Sequence, residues 1–272
     1  MANTLCCIAK GGLGNRLRAL SSNMWIARQL NCELDIFWTV SNTMGASFSD
    51  IINKPVFQLY EHEDRKLAVE YFERKYAGAQ IATISNIHIP YNAFRTNDVV
   101  IVDTWGWAIL CGWPKKQLNS EIVKQESASI LCEFKWHPYV NKNVLEFHQS
   151  YKIENCIGVH VRRGDVKQKQ WRDRYITEEQ YFQSLAQYED SIFLATEDCK
   201  VIDRFQKEYG NRLIRYQCRN FQRSSVEAIQ DSLVEMCLLS QCKKIISGPS
   251  SFSEVAQYIG CISRDVLESQ RK

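Results

Sequence analysis

The sequence predicts an α/β fold of two doubly wound halves, each a parallel sheet covered by helices. Three observations predict it. In the second half of the chain, short β-branched runs alternate with helix-length runs, the pattern of a parallel sheet buried on both faces. Residues Thr4 to Trp38 read as strand, glycine-rich turn, helix and strand, the opening of another such unit. The 272 residues suffice for two domains of about 100–150 residues each.

Each element has its own warrant. Thr4 to Ala9 is a continuous apolar run and reads as a buried strand. Lys10 to Gly14 is a tight turn, and from Asn15 the residues Leu17, Leu20, Met24, Ala27 and Leu30 fall at helical spacing. Glu33 to Trp38 is the next strand. From about Thr39 to Pro138 the pattern weakens: Asp64–Tyr76 reads as helix, Val99–Asp103 as strand, and Trp105 to Pro114 as an irregular aromatic loop. Strands then follow at Cys156–Val161, Ser191–Ala195, Arg212–Tyr216 and Lys244–Ser247. Helices lie between them at Thr177–Tyr188, Asp198–Tyr209 and Ser225–Ser240, with a last one at Ser253–Ile259. Thr177-x-x-Gln180 has the spacing of a capping box. The joint is expected near residues 140–153, which divides the chain into 1–150 and 151–272.

Composition narrows the function classes. The chain is 45% apolar and 24% charged, with a net charge of +3, so anion binding requires local clustering and not a whole-molecule field. No run approaches the ~18 apolar residues of a membrane span, and no leader-like segment opens the sequence. The eleven cysteines are odd in number and show no C-x-x-C spacing, so reduced thiols in a cytoplasmic protein are expected, with no metal site.

Ligands of doubly wound sheets bind outside the carboxyl ends of the strands. Those ends carry a coherent set: Gly11-Gly12-Leu13-Gly14-Asn15; His160 with Arg162, Arg163 and Asp165; Thr196-Glu197-Asp198; and Gly248-Pro249-Ser250-Ser251 ahead of a helix. Arginine binds phosphate bidentately, and a helix start offers unpaired N–H groups. Together they point to a phosphate-bearing substrate whose leaving diphosphate is stabilised without metal. Each piece also has a structural reading. Asp165 pairs with Arg162 or Arg163, His160 is a core histidine, Ser250 and Ser251 are caps, and the glycines form an empty turn. Joint placement at sheet edges favours the site.

Rival chemistries fit less well. Gly12-Leu-Gly14 matches the start of a dinucleotide fingerprint, but the third glycine position is Leu17. No Walker loop and no D-x-D pair occurs. Residues 162–174 carry six basic side chains with Trp171 among them, a single patch too small to argue for nucleic acid at this net charge.

The motifs carry a resemblance. His160-Val-Arg162-Arg163-Gly164-Asp165 resembles the H-x-R-R-G-D motif of the α1,2-, α1,6- and O-fucosyltransferase superfamily. Gly12-Leu-Gly14-Asn15 is similar to its acceptor-side loop, Phe193 to Asp198 to its second motif, and Asp231 to Ala256 to its third. The resemblance implies a GT-B-like fold, two Rossmann-like domains with parallel sheets facing a cleft. It implies an N-terminal acceptor side, a C-terminal nucleotide-sugar side, and inverting, metal-independent transfer of a sugar to a glycan hydroxyl. L-fucose from GDP-fucose is the expected donor; the alternatives are another donor such as UDP-xylose, or a binding protein without turnover.

Roles follow by position. Arg162 would bind the leaving diphosphate, supported by Arg163, with His160 on the nucleotide and Asp165 nearby. Ser250, Ser251 and Phe252 would hold phosphate; Gly12, Gly14 and Asn15 would lie by the acceptor or sugar. Glu197 and Asp198, the acidic pair of the second motif, would bind substrate; Asp231 or Glu235 would meet ribose or base, and Asp173, close to Gln170, is the candidate base. The partners implied are a nucleotide sugar and a glycan; no cofactor, nucleic acid or transmembrane segment is expected.

Overall fold

The computed structural model describes residues 1–53, 57–114, 120–164 and 174–269. Two compact units emerge: Met1–Pro138 with Gln222–Gln230, and Tyr139–Phe221 with Asp231–Lys272. The division expected after residue 150 thus falls twelve residues late, and local pattern gave no sign of the Gln222–Gln230 excursion.

In the first unit, β1 (Thr4–Ala9), β2 (Glu33–Thr39), β3 (Gln58–His62), β4 (Ile81–Ile84) and β6 (Val99–Thr104) form a sheet of order β3-β2-β1-β6-β4. Every pairing is parallel. The central strands β1 and β6 are buried along their whole length, in keeping with their largely apolar runs Leu5–Ala9 and Val99–Val102, and β3 is a half-exposed edge. Helix α1 (Leu13–Leu30) begins two residues before the expected start and carries Leu17, Leu20 and Ile26 into the core. The weakly patterned middle resolves into α2 (Leu67–Lys75), α3 (Tyr91–Thr96) and α4 (Ser120–Cys132), together with a two-stranded ladder of β5 (His88–Pro90) and β7 (Ile109–Cys111). The aromatic segment after Trp105 is therefore partly strand, where sequence alone read only a loop. Helix α2 closes one face of the sheet, with Phe72 edge-on to Phe37 at 6.1 Å.

The excursion 222–230 belongs to this unit. Gly45 N–H donates to the Arg223 carbonyl at 2.8 Å, and Gln230 Nε2 donates to the Asp50 carbonyl at 2.8 Å. Only glycine fits at position 45, because a Cβ would lie 2.1 Å from the Ser224 carbonyl.

The second unit repeats the plan. Strands β8 (Ile157–His160), β9 (Ile192–Ala195), β10 (Leu213–Ile214), β11 (Lys244–Ser247) and β12 (Ser263–Val266) pair in parallel in the order β10-β9-β8-β11-β12. Its helices are α5 (Pro138–Tyr151, all but its first residue in this unit), α6 (Glu178–Leu185), α7 (Cys199–Tyr209), α8 (Val226–Leu239, from Asp231 onward in this unit) and α9 (Ser251–Gly260). Ile157, Val159, Leu194 and Ile246 from the sheet pack with Tyr181 and Leu185 of α6 and Phe205 of α7. The predicted capping box is present: Thr177 Oγ1 accepts from Gln180 N–H while Gln180 accepts from Thr177 N–H. All eleven cysteines are free, and among the described residues no helix is long and apolar enough to cross a membrane.

Candidate active site

The second sheet reverses its strand order between β8 and β11, the position where sheets of this kind leave a crevice. Register places His160, the last residue of β8, between Ser247 of β11 and Ala195 of β9. The chain therefore leaves both crevice strands in functional sequence, toward Arg162 on one side and Gly248 to Ser251 on the other. Tyr181 fastens the two exits together. Its hydroxyl donates to the His160 carbonyl and accepts from Gly248 N–H, each at 3.1 Å. Burial pushes this phenol up to about 12, so it remains a donor.

The turn after β11 serves as a capped helix start. Ser250 Oγ accepts from Phe252 N–H at 3.2 Å, and Ser253 Oγ donates to Ser247 Oγ at 3.0 Å. Phe252 then stacks on the His160 ring, with centroids 4.8 Å apart and planes 29° apart. His160 is 7% exposed, so the stack fixes an imidazole face at the mouth of the crevice. Ser251 is the first helical residue, partly exposed.

The two adjacent arginines have different fates. Arg162 is partly exposed at the crevice edge. Arg163 is 3% exposed and turns inward: one terminal nitrogen donates to the Ile176 carbonyl and to Glu178 Oε1, both at 2.8 Å. Its guanidinium also covers the Tyr175 ring at 4.4 Å. Sequence alone assigned both arginines to the diphosphate, but the Arg163 guanidinium is engaged within the protein, holding the start of α6 to the end of β8.

Several acidic residues likewise have internal work. Glu197 Oε1 accepts from Gly164 N–H at 2.6 Å and Arg163 N–H at 3.4 Å, which shapes the loop after β8. Asp198 caps α7 by accepting from Lys200 and Val201 N–H. Asp231 is fully buried. It accepts from the Tyr139 hydroxyl at 2.8 Å, from Arg219 N–H at 2.6 Å and from the Arg219 guanidinium at 3.0 Å. An expected ribose or base contact is thus the hub of an internal network. Glu235, one turn further along α8, is also buried; burial first, and then the charge of Glu197, push its carboxyl up to about 8. Asp165, Gln170 and Asp173 lie outside the described residues.

The remaining site residues sit in the first unit, at the end of β1. Gly11 adopts φ +84°, and a Cβ there would lie 2.6 Å from Asn15 Nδ2, so this turn needs glycine. Gly12 precedes α1 without a side-chain cap, Gly14 is buried in the first turn, and Asn15 Oδ1 accepts from the Arg18 guanidinium at 2.7 Å. Among the described residues, no group of three or more His, Cys, Asp or Glu is placed to hold a metal.

Tyr181 and Glu178 escaped the sequence reading. Tyr181 acts through backbone partners and Glu178 through an arginine fifteen residues earlier, so nothing local marks either.

No known family pattern and no curated protein matches this sequence. Solved structures do. The α-1,6-fucosyltransferase NodZ soaked with GDP-fucose, an enzyme also solved from Bradyrhizobium, superposes with a TM-score of 0.63 at 16% identity, covering 95% of this chain and 93% of that one. A variant of FUT1 from Arabidopsis thaliana in complex with GDP gives 0.61 at 13% identity, covering 97% and 70%. POFUT1 in complex with GDP gives 0.52 at 12% identity, covering 97% and 98%. The chain has the two-sheet, Rossmann-like glycosyltransferase fold that these fucosyltransferases share.

Proposed function

We propose that the protein is a glycosyltransferase that moves L-fucose from GDP-fucose to a glycan hydroxyl, with inversion and without metal. The observation that carries this reading is the β8/β11 crevice, where the strand bearing Arg162 and the turn Gly248–Ser251 leave adjacent strands held by Tyr181. In this reading the second unit is the donor side. Arg162 neutralises the departing diphosphate, the start of α9 adds backbone N–H groups through Ser250 and Ser251, and the His160–Phe252 stack lines the nucleotide. The first unit is the acceptor side, with Gly12, Gly14 and Asn15 at its glycine turn. A base, for which Asp173 is the candidate, takes the acceptor proton as the oxygen attacks the anomeric carbon. Likeness to enzymes solved with GDP-fucose and GDP supports the donor, and free thiols support a cytoplasmic setting.

Arg162→Ala tests the assignment: transfer from GDP-fucose falls by at least about 10²-fold while the melting temperature holds. Near-normal turnover removes Arg162 from the chemistry. Transfer that persists in EDTA is expected, and strict dependence on added Mg²⁺ or Mn²⁺ contradicts the mechanism. Glu235 favours a second reading. A carboxylate suits the paired N–H donors of guanine, whereas a carboxyl pushed up to about 8 is largely neutral at pH 7. A thermal-shift panel of GDP, UDP, CDP and ADP decides it. Preference for UDP moves the donor to a UDP-sugar such as UDP-xylose, and tight binding without turnover identifies a binding protein.

A further inference from the structure

The first sheet has its own crevice, between β1 and β6, and the side chains there are not explained by the donor chemistry. Trp105 follows β6 directly and is 47% exposed, although most of the chain's large apolar side chains are buried. Its backbone is anchored, because the Trp105 carbonyl accepts from the Arg18 guanidinium at 3.3 Å, and Lys10 Nζ lies 5.0 Å from its ring. A fixed indole face open to solvent is a platform for the apolar face of a sugar ring.

Beside that platform charge is out of balance. Asp103, at the end of β6, accepts through Oδ2 from Lys10 Nζ at 2.9 Å and from Arg65 at 2.5 Å. Its Oδ1 is buried and has no donor among the described residues. Arg16 is 2% exposed and lies over the Trp38 ring at 4.9 Å, and its guanidinium donates to the carbonyls of Gly11 and Thr39. Burial, and then the neighbouring charge of Arg65, push its guanidinium down to about 10. Two other acids at this edge face backbone N–H groups: Glu61 accepts from Phe48 N–H and Asp64 from Lys66 N–H. Lys10 and Arg65 thus share the Asp103 carboxylate, while among the described residues the buried Arg16 guanidinium, within electrostatic reach of Arg65, has no carboxylate in hydrogen-bond contact. Burying like charges is costly unless an anion completes the group, and paired guanidinium forks match a carboxylate.

We propose that the carboxyl-terminal edge of the first sheet is a subsite for a sugar ring bearing a carboxylate, with the ring on Trp105 and its carboxylate on Arg65 and Arg16. Asp103 Oδ1 then takes a hydroxyl of the same ring. The proposal rests on the glycan-acceptor reading and narrows the acceptor to acidic glycans.

The test is calorimetric binding of a glucuronate-terminated disaccharide, its neutral glucose-terminated counterpart and GDP to the wild-type protein, Arg65→Ala, Arg65→Lys and Trp105→Ala. Arg65 and Trp105 are exposed, so the variants keep the fold. The acidic sugar binds about tenfold more tightly than the neutral one. Arg65→Ala erases that preference, Arg65→Lys keeps part of it, and Trp105→Ala weakens both sugars while GDP affinity is unchanged. Equal binding of the two sugars, no binding of either, or a preference that survives Arg65→Ala overturns the proposal. Loss of GDP affinity in step with the sugars also overturns it, because the edge then serves the donor's phosphates. If the sugar pattern holds but wild-type protein binds no GDP, the subsite stands and the fucosyltransferase reading fails.

Discussion

The two sheets share the order third-second-first on one side of the switch point, yet they use their crevices differently. At the β1/β6 crevice Lys10 and Arg65 both pair with Asp103, and the charge of Arg65 adds to burial in lowering the pKa of the Arg16 guanidinium. At the β8/β11 crevice the charge has been sorted: Arg163 is turned inward onto Glu178, Glu197 is spent on the loop, and Arg162 stands part-exposed at the edge. The lesson is that a sheet edge full of charged residues is mostly architecture. Function rests on the few groups that stay within a ligand's reach.

That contrast can be broken at Arg163. Arg163→Ala strips the buried guanidinium from Glu178, the Ile176 carbonyl and the Tyr175 ring, leaving Glu178, among the described residues, only Arg204 at 3.6 Å, and costs about 3 kcal/mol, read from chemical denaturation. Arg162→Ala leaves stability unchanged and loses transfer. If both substitutions cost activity alone, the sorting of the two arginines is wrong. The next effect down concerns the clip between the crevice strands. Tyr181→Phe removes the hydroxyl joining the His160 carbonyl to Gly248 N–H and costs about 1–3 kcal/mol, with a loss of nucleotide affinity that a purely packing role would not produce.

The effect that shows only in a pH profile sharpens the acid accounting. The Glu235 carboxyl is raised from 4.5 to about 8 in the folded chain, so the folded state holds a proton that the unfolded state releases between those values. Its contribution is fully present below pH 4.5 and is lost as pH rises toward 8, by at most about 1.4 kcal/mol per pH unit. Glu235→Gln flattens that part of the stability profile. A profile as steep as wild type across that interval shows that another group sets it.

Much of the fold was legible because central strands announce themselves. The runs Thr4–Ala9 and Lys244–Ser247 match β1 and β11 residue for residue, since strands buried on both faces carry an apolar stretch, here Leu5–Ala9 and Ile245–Ile246. The Thr177 box likewise marked the start of α6. Half-exposed edges were not legible. Gln58–His62 mixes polar and aromatic residues without alternation, and α5 fully buries only Val140. At the candidate site, the sequence placed the predicted residues at the strand ends but could not assign them partners. Asp231 reads as a ligand contact until Arg219 and Tyr139 are seen upon it, and Asp103 meets Arg65 only once distant segments are folded together. Charge balance is a tertiary property, invisible to local pattern.

The return of residues Gln222–Gln230 to the first unit has a consequence for biosynthesis. Gly45 and Asp50 wait for backbone and side-chain partners, Arg223 and Gln230, made much later in the chain, so the N-terminal unit cannot be completed on the ribosome before most of its companion has emerged. The last partners of the N-terminal unit therefore arrive only after most of its companion has been made, against the usual domain-by-domain order of folding during translation.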